Sequence, residues 1–175
     1  MQTRAGSFPG GDQSPTVLRV FDLIDGLPVH VLVLHATVVL LPLMSLVTVL
    51  VAIVPRWRGT PAVVTAVIDA ALIGLTWVTA ESGNELQVRL SQQAGQVIAK
   101  EHGERGGQLI WYSVALFAAA LLTALIARRG GFLAGVAIIV AVAVAAGVTG
   151  WTIYTGDAGA RSRWQEQIAG TQPPP

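Results

Sequence analysis

The residues of this sequence best suited to chemistry are three histidines and one aspartate in a largely apolar chain. His30 and His35 lie near the start of the first long apolar run, and His102 stands just before the third. Neutral imidazoles ligate metals and exchange protons near neutral pH. Asp69 is the one charged residue inside the long apolar runs. An ionisable group at such a position is a candidate for proton transfer or ligand binding.

The spacing of these residues limits how they can act together. Five residues of helix turn His30 and His35 about 140° apart, so they do not form a chelating pair on one face. His35 lies about 10 Å from the start of the first apolar run, and Asp69 lies about 16 Å from the end of the second. If these runs are antiparallel neighbours, His35 and Asp69 can touch. Two interpretations stay open: a hydrogen bond that fixes packing, and a proton relay or ligand site.

Three carboxylates are predicted to lie at the same end of the bundle as His30 and His102. Glu81, Glu85 and Asp157 flank the ends of apolar runs. Together with His30 and His102 they offer enough oxygen and nitrogen donors for a divalent metal. Charged residues of this kind are usually solvated, so they are weaker candidates than the histidines.

A b-type haem is the other cofactor that histidines in a helical bundle would suit. It requires axial ligands on facing helices. For this role the sequence favours His35 with His102, because His30 lies nearer the rim. A haem or metal-binding electron carrier is therefore one alternative function. A small proton-coupled transporter that uses Asp69 and His35 is a second.

No catalytic motif accompanies these residues. The sequence has no Gly-rich phosphate loop, no Gly-x-Ser-x-Gly elbow and no His-Glu-x-x-His. It has no cysteine, which excludes disulfides, thiolate zinc sites and iron–sulfur ligation. The net charge is +1 without a long basic run, which argues against a nucleic-acid partner. We therefore predict a non-catalytic binding or accessory component with a polar site at one end.

The elements that must position these residues are membrane-spanning helices. Of the 175 residues, 53% are hydrophobic and only 12% are charged, whereas a soluble domain has about 25% charged residues. A helix needs about 20 predominantly apolar residues to cross a bilayer. Four segments satisfy this need, at 28–54, 61–80, 109–127 and 132–153. The sequence therefore predicts an all-α, four-helix transmembrane bundle.

The segments outside the four spans are predicted to differ in character. Residues 1–14 are expected to be disordered, and residues 15–26 to form an amphipathic helix at the membrane surface. The helix of the second span is predicted to continue into water as an extramembrane amphipathic helix, because an apolar stripe follows residue 80, and to end at the Gly-rich stretch 103–108. Residues 157–175 are predicted to form a C-terminal tail.

The distribution of arginines predicts the orientation of the chain. The two short loops, 55–60 and 128–131, carry four arginines and no acid. Basic residues in short loops favour the cytoplasmic side of a membrane. We therefore predict both termini and the long loop on the outer side of the plasma membrane. The predicted partners are the lipid bilayer and other membrane proteins or a second copy of the chain.

Several segments resemble a bacterial family of four-span membrane proteins of unknown function. These segments are GLPVHVLVLHATVVLLPL, SGNELQVRL, KEHGERGGQLIWYSVAL and TIYTGDAGARSRW, and the resemblance covers about 21–164. It implies a four-helix cell-envelope protein of the actinobacterial type with a double-histidine first helix. The matching motif positions are His30, His35, His102 and Asp157. The sequence departs from the family at Val31, a position where the family commonly has proline. It also lacks the histidine that many distant relatives have at the end of the fourth span.

Overall fold

Four long helices form an antiparallel bundle in the computed structural model, which describes residues 23–94, 99–126, 129–169 and 171. All four are long and apolar enough to cross a membrane. They are α1 (Val29–Ile53), α2 (Thr60–Ala94), α3 (Lys100–Ile126) and α4 (Gly131–Ile168). The predicted all-α four-helix bundle is confirmed, and its helices identify a multi-pass membrane protein.

The helices pack in a ring that follows the order of the chain. Each helix packs on the next, and α4 returns to pack on α1, whereas α1 and α3 contact each other only weakly. The pairs α1/α3 and α2/α4 are therefore the two diagonals. The bundle has two ends: the histidine end, where α1 and α3 begin and α2 and α4 finish, and the arginine end, where the loops with Arg56 and Arg129 lie.

Several hydroxyl groups inside the spans donate to backbone carbonyls of their own helices. The Ser45 hydroxyl donates to the Leu41 carbonyl four residues earlier, at 2.8 Å. At the arginine end, Arg58 Nε donates to the Ala52 carbonyl at 2.8 Å and covers the last turn of α1. Such partners are needed because a hydrocarbon environment offers none. A 3₁₀ turn, Pro55–Trp57, then leads towards α2.

A short hairpin precedes α1 where a surface helix was predicted. Strands β1 (Leu23–Ile24) and β2 (Leu27–Pro28) pair antiparallel. Asp25 and Gly26 between them both have positive φ, 50° and 80°, which suits the two-residue turns that Asp-Gly favours. The helix predicted over 15–26 is therefore wrong for its last four residues. The rest of it, and the stretch 1–14, lie outside the described residues.

The bundle interior changes character along its length. The middle is filled by large apolar side chains: Leu41, Met44, Leu72, Leu109, Leu116 and Val148. Towards the arginine end, small residues such as Ala62, Ala134 and Ala137 are buried instead. Large apolar side chains face outwards, as at Phe132, which is 85% exposed. This arrangement is typical of helices that pack through small residues and turn apolar chains to lipid.

Three helices extend farther towards the histidine end than the apolar runs predicted. α2 continues to Ala94, in agreement with the predicted continuation of the second helix beyond its apolar run, although it ends earlier than predicted. α3 runs through the Gly-rich stretch 103–108, where a break was predicted, and α4 runs through the predicted tail to Ile168. Ion pairs one turn apart, Lys100–Glu104 and Glu101–Arg105, support α3 there. The last residues of the tail, 172–175, lie outside the described part of the chain.

Candidate functional site

The histidines that the fold brings together are His30 on α1 and His102 on α3. Their ring centroids are 6.2 Å apart, and the ring planes meet at 77°. Both rings line a cavity of about 390 Å³ at the histidine end. Cofactor and ligand sites commonly measure about 300–1,000 Å³. The sequence-based pairing of His35 with His102 is corrected: the structure pairs His102 with His30.

Each of these two rings is held through its Nδ1 atom. Nδ1 of His30 donates to the Thr79 carbonyl at 2.9 Å, and Nδ1 of His102 donates to the Thr155 carbonyl at 3.0 Å. A carbonyl can only accept, so in a neutral ring the proton is on Nδ1 and Nε2 keeps its lone pair. Metal-binding histidines are commonly held through their second nitrogen in this way. Both rings are therefore in the tautomer that can ligate a metal through Nε2.

Two glycines allow the rings to lie directly against α2 and α4. A Cβ at Gly83 would lie 3.0 Å from Cε1 and Nδ1 of His30, and one at Gly159 would lie 2.9 Å from the same atoms of His102. Each glycine follows, by one helical turn, the threonine whose carbonyl binds the ring. A larger residue at either position would push the imidazole away from its carbonyl partner.

The two halves of the site are repeats of one another. Residues 74–83, GLTWVTAESG, and 150–159, GWTIYTGDAG, share the pattern Gly-x-Thr-x-x-Thr-x-acid-x-Gly. In each, the second threonine presents the carbonyl and the last glycine makes room for the ring. The hairpins α1/α2 and α3/α4 are thus equivalent units, each with a histidine near the start of its first helix. This repeat is the signal that would have paired His30 with His102, and the sequence reasoning missed it by ranking the histidines on depth alone.

His35 and Asp69 do not join this site or each other. His35 lies on the exposed side of α1, and its Nδ1 donates to the Val31 carbonyl of its own helix at 2.9 Å. Asp69 is fully buried, and its Oδ2 accepts a hydrogen bond from the Thr48 hydroxyl at 3.1 Å. The contact between His35 and Asp69 that helix geometry allowed is not made.

Asp69 is also remote from the histidine cavity. It lies ten residues before Thr79 on α2, about 15 Å along the helix. The buried side chains of Leu41 and Leu72 occupy the intervening part of α1 and α2. Within the described part of the chain, its Oδ1 has no hydrogen-bond partner. The bond to Thr48 joins α1 to α2, which favours the packing role among the two interpretations.

The acidic residues predicted at the rim do not form a metal cluster. Asp157 accepts a hydrogen bond from Arg161 one turn later, at 2.7 Å, and Glu81 and Glu85 are partly exposed on α2. Among the described residues there is no group of three or more histidines or acids able to hold a metal ion. The candidate ligating groups that the described residues bring together are therefore the two histidines.

Comparisons with protein families, with curated proteins and with solved structures give no match to this chain. The resemblance to a bacterial four-span family stays a prediction. The function is therefore inferred from the geometry of the site.

The packing role of Asp69 is tested by comparing Asp69→Asn with Asp69→Ala. Asparagine keeps an acceptor for the Thr48 hydroxyl, so we expect its thermal unfolding midpoint in detergent to stay close to that of the wild type. Alanine removes the acceptor and leaves a void, and we expect it to lower the free energy of unfolding by about 1–3 kcal/mol. Equal stability of the two variants would contradict this role.

The glycine cradles are tested by alanine substitutions at matched positions of the repeat. Gly83→Ala and Gly159→Ala place a methyl group against a histidine ring, and we expect a loss of about 1–3 kcal/mol in unfolding free energy. Gly74→Ala and Gly150→Ala are the controls, because a Cβ there meets no atom within 4 Å. The controls are expected to be neutral or slightly stabilising, since alanine favours helix. Identical unfolding midpoints for all four variants would show that the rings do not depend on the cradles.

Proposed function

We propose that this protein is a membrane-embedded b-type haem protein that carries electrons, with His30 and His102 as axial ligands. The observation that carries the proposal is the 6.2 Å between their ring centroids. A histidine nitrogen lies about 2.1 Å from its metal and about 1.1 Å from its ring centroid, so two imidazoles on opposite sides of one metal have centroids about 6.4 Å apart. The gap between the rings thus matches a single metal atom.

The number of protein ligands favours a metal that brings its own equatorial ligands. Two histidines leave a tetrahedral or octahedral shell incomplete, and the described residues offer no third ligand as part of a cluster. A porphyrin supplies four nitrogens in a plane and leaves the two axial positions to the protein. The diagonal placement of His30 and His102 suits such axial ligation across a bundle. When bound, haem supplies reversible one-electron transfer at iron.

The cavity walls fit a flat apolar group. They are made largely of small and aliphatic side chains, including Leu34, Ala80, Gly83, Leu90, Gly103, Gly106, Gly107, Leu109, Gly156 and Gly159. Four helices approach one another there with little side-chain volume between them. One polar atom in the wall, the Thr155 hydroxyl oxygen, is buried without a hydrogen-bond partner among the described residues. Such an atom is expected where a bound group supplies the missing partner.

The non-catalytic binding role predicted from the sequence agrees with an electron carrier, which binds a cofactor and transforms no substrate. The proton-coupled transporter has weaker support. It needs His35 and Asp69 to act together, and the first is exposed whereas the second is buried. The large apolar side chains in the middle of the bundle also separate Asp69 from the histidine cavity.

The proposed location is the plasma membrane of a bacterial cell envelope, with the histidine end outside. This orientation follows from the arginines at the other end. It places the haem site within reach of extracytoplasmic electron donors and acceptors.

The haem assignment is tested by absorbance spectroscopy of protein purified after haem supplementation. We expect equimolar haem with a low-spin, bis-histidine spectrum. His30→Ala and His102→Ala should each abolish that spectrum, because each removes one axial ligand. His35→Ala is the matched control on the same helix and should leave the spectrum unchanged. The absence of a Soret band in the wild type, or its loss in His35→Ala, would overturn the assignment.

The orientation is tested by cysteine labelling, since the natural chain has no thiol. Gln92 lies exposed on α2 at the histidine end, and Thr60 lies exposed at its other end. We expect a membrane-impermeant maleimide to label Gln92→Cys in intact cells and Thr60→Cys only after permeabilisation. The reverse pattern would place the haem site on the cytoplasmic side.

A further inference from the structure

The two halves of the cavity differ in how the hydroxyl of the second repeat threonine, Thr79 or Thr155, is hydrogen-bonded. In the first half, the Thr79 hydroxyl donates to the Leu75 carbonyl at 2.8 Å and lies 2.7 Å from the Thr37 hydroxyl. In the second half, Thr155 is only 4% exposed and lines the cavity. Its hydroxyl oxygen has no hydrogen-bond partner in the described part of the chain. An unpaired buried hydroxyl is costly, so the difference calls for a partner.

The orientation of the Thr155 hydroxyl sets it apart from other buried threonines. The hydroxyls of Thr76 and Thr152, one turn before the two repeat threonines, donate to the carbonyl four residues earlier. Within a helix, a threonine hydroxyl usually finds its hydrogen-bond acceptor in this carbonyl. Thr155 does not make it, although the geometry of its helix offers the same carbonyl position. Its hydroxyl is therefore available to a group inside the cavity.

The repeat explains why the described part of the chain supplies no partner for this hydroxyl. Thr37 lies seven residues after His30, and the residue seven after His102 is Leu109. Leu109 is buried and lines the cavity, but it has no hydrogen-bonding group. The hydroxyl pair of the first half is thus replaced by a leucine and one unpaired hydroxyl in the second half.

Resting on the haem assignment, we propose that the Thr155 hydroxyl donates a hydrogen bond to a carboxylate of the bound haem. The carboxylates are the hydrogen-bond acceptors that a b-type haem offers, because its ring nitrogens ligate iron and its other substituents are hydrocarbon.

The test is a pair of titrations, with haem b and with iron etioporphyrin, whose substituents are alkyl groups without carboxylates. Thr155→Val should weaken the binding of haem b about tenfold or more and leave that of iron etioporphyrin unchanged. Thr155→Ser should restore haem b affinity because it keeps the hydroxyl. Thr152→Val is the control: its hydroxyl lines the same cavity but donates to the Val148 carbonyl. Its effect should be the same for both porphyrins.

The outcomes separate this proposal from the haem assignment. If Thr155→Val weakens both porphyrins equally, or neither, the hydroxyl does not bind a carboxylate and the Thr155 proposal is overturned while the haem assignment stands. If the wild type binds neither porphyrin, both proposals are overturned. A low-spin bis-histidine spectrum in every variant that binds shows that the axial ligands are intact and that the measured differences arise at Thr155.

Discussion

Two hydrogen bonds, from histidine rings to the backbone carbonyls of Thr79 and Thr155, determine what the histidine end of this bundle can bind. Each joins the first helix of a hairpin to the second helix at a fixed depth. Each also sets the tautomer of the ring, so that Nε2 remains available as a ligand. The carbonyls already belong to helical ladders and offer a second lone pair, which a partly buried ring N–H needs where water is scarce.

Features of the surrounding helices make these two hydrogen bonds possible. The glycines one turn beyond each carbonyl bring the rings close enough to donate. Glycine lowers helix stability by about 1 kcal/mol relative to alanine, and α3 carries three glycines between 103 and 107. The ion pairs of Lys100 and Glu101 with residues one turn later support the helix where its glycines weaken it. The bundle therefore keeps an open cavity at one end while small and aliphatic residues fill the rest.

Much of the fold follows from hydropathy alone, because four apolar runs of bilayer length leave few alternatives to a helical bundle. The continuation of α2 beyond its apolar run follows from the apolar stripe after residue 80. Hydropathy misses the polar continuation of α4 through the predicted tail to Ile168. It also places His30 at the rim and disfavours it as a ligand. The pairing of His30 with His102 depends on the relation between two hairpins, which no single apolar run contains. The shared threonine and glycine spacing at 74–83 and 150–159 does indicate this pairing. A histidine ring held in this manner needs a threonine carbonyl to accept its N–H and a glycine one turn later to make room for it.

The same repeat defines what makes the two hairpins unequal. Asp69 in α2 has Ala145 as its counterpart in α4, and Thr37 in α1 has Leu109 in α3. The first hairpin therefore carries additional polar groups that bond within it, through the Thr48–Asp69 and Thr37–Thr79 hydrogen bonds. Asp69 Oδ1 alone among these atoms has no partner in the described part of the chain. In the second hairpin, the Thr155 hydroxyl beside the cavity has no hydrogen-bond partner among the described residues. With one histidine pair at one end of the described bundle and apolar side chains filling the middle, the proposed haem would lie near one membrane surface. A site placed there would suit the exchange of electrons with partners on that side rather than their conduction across the bilayer.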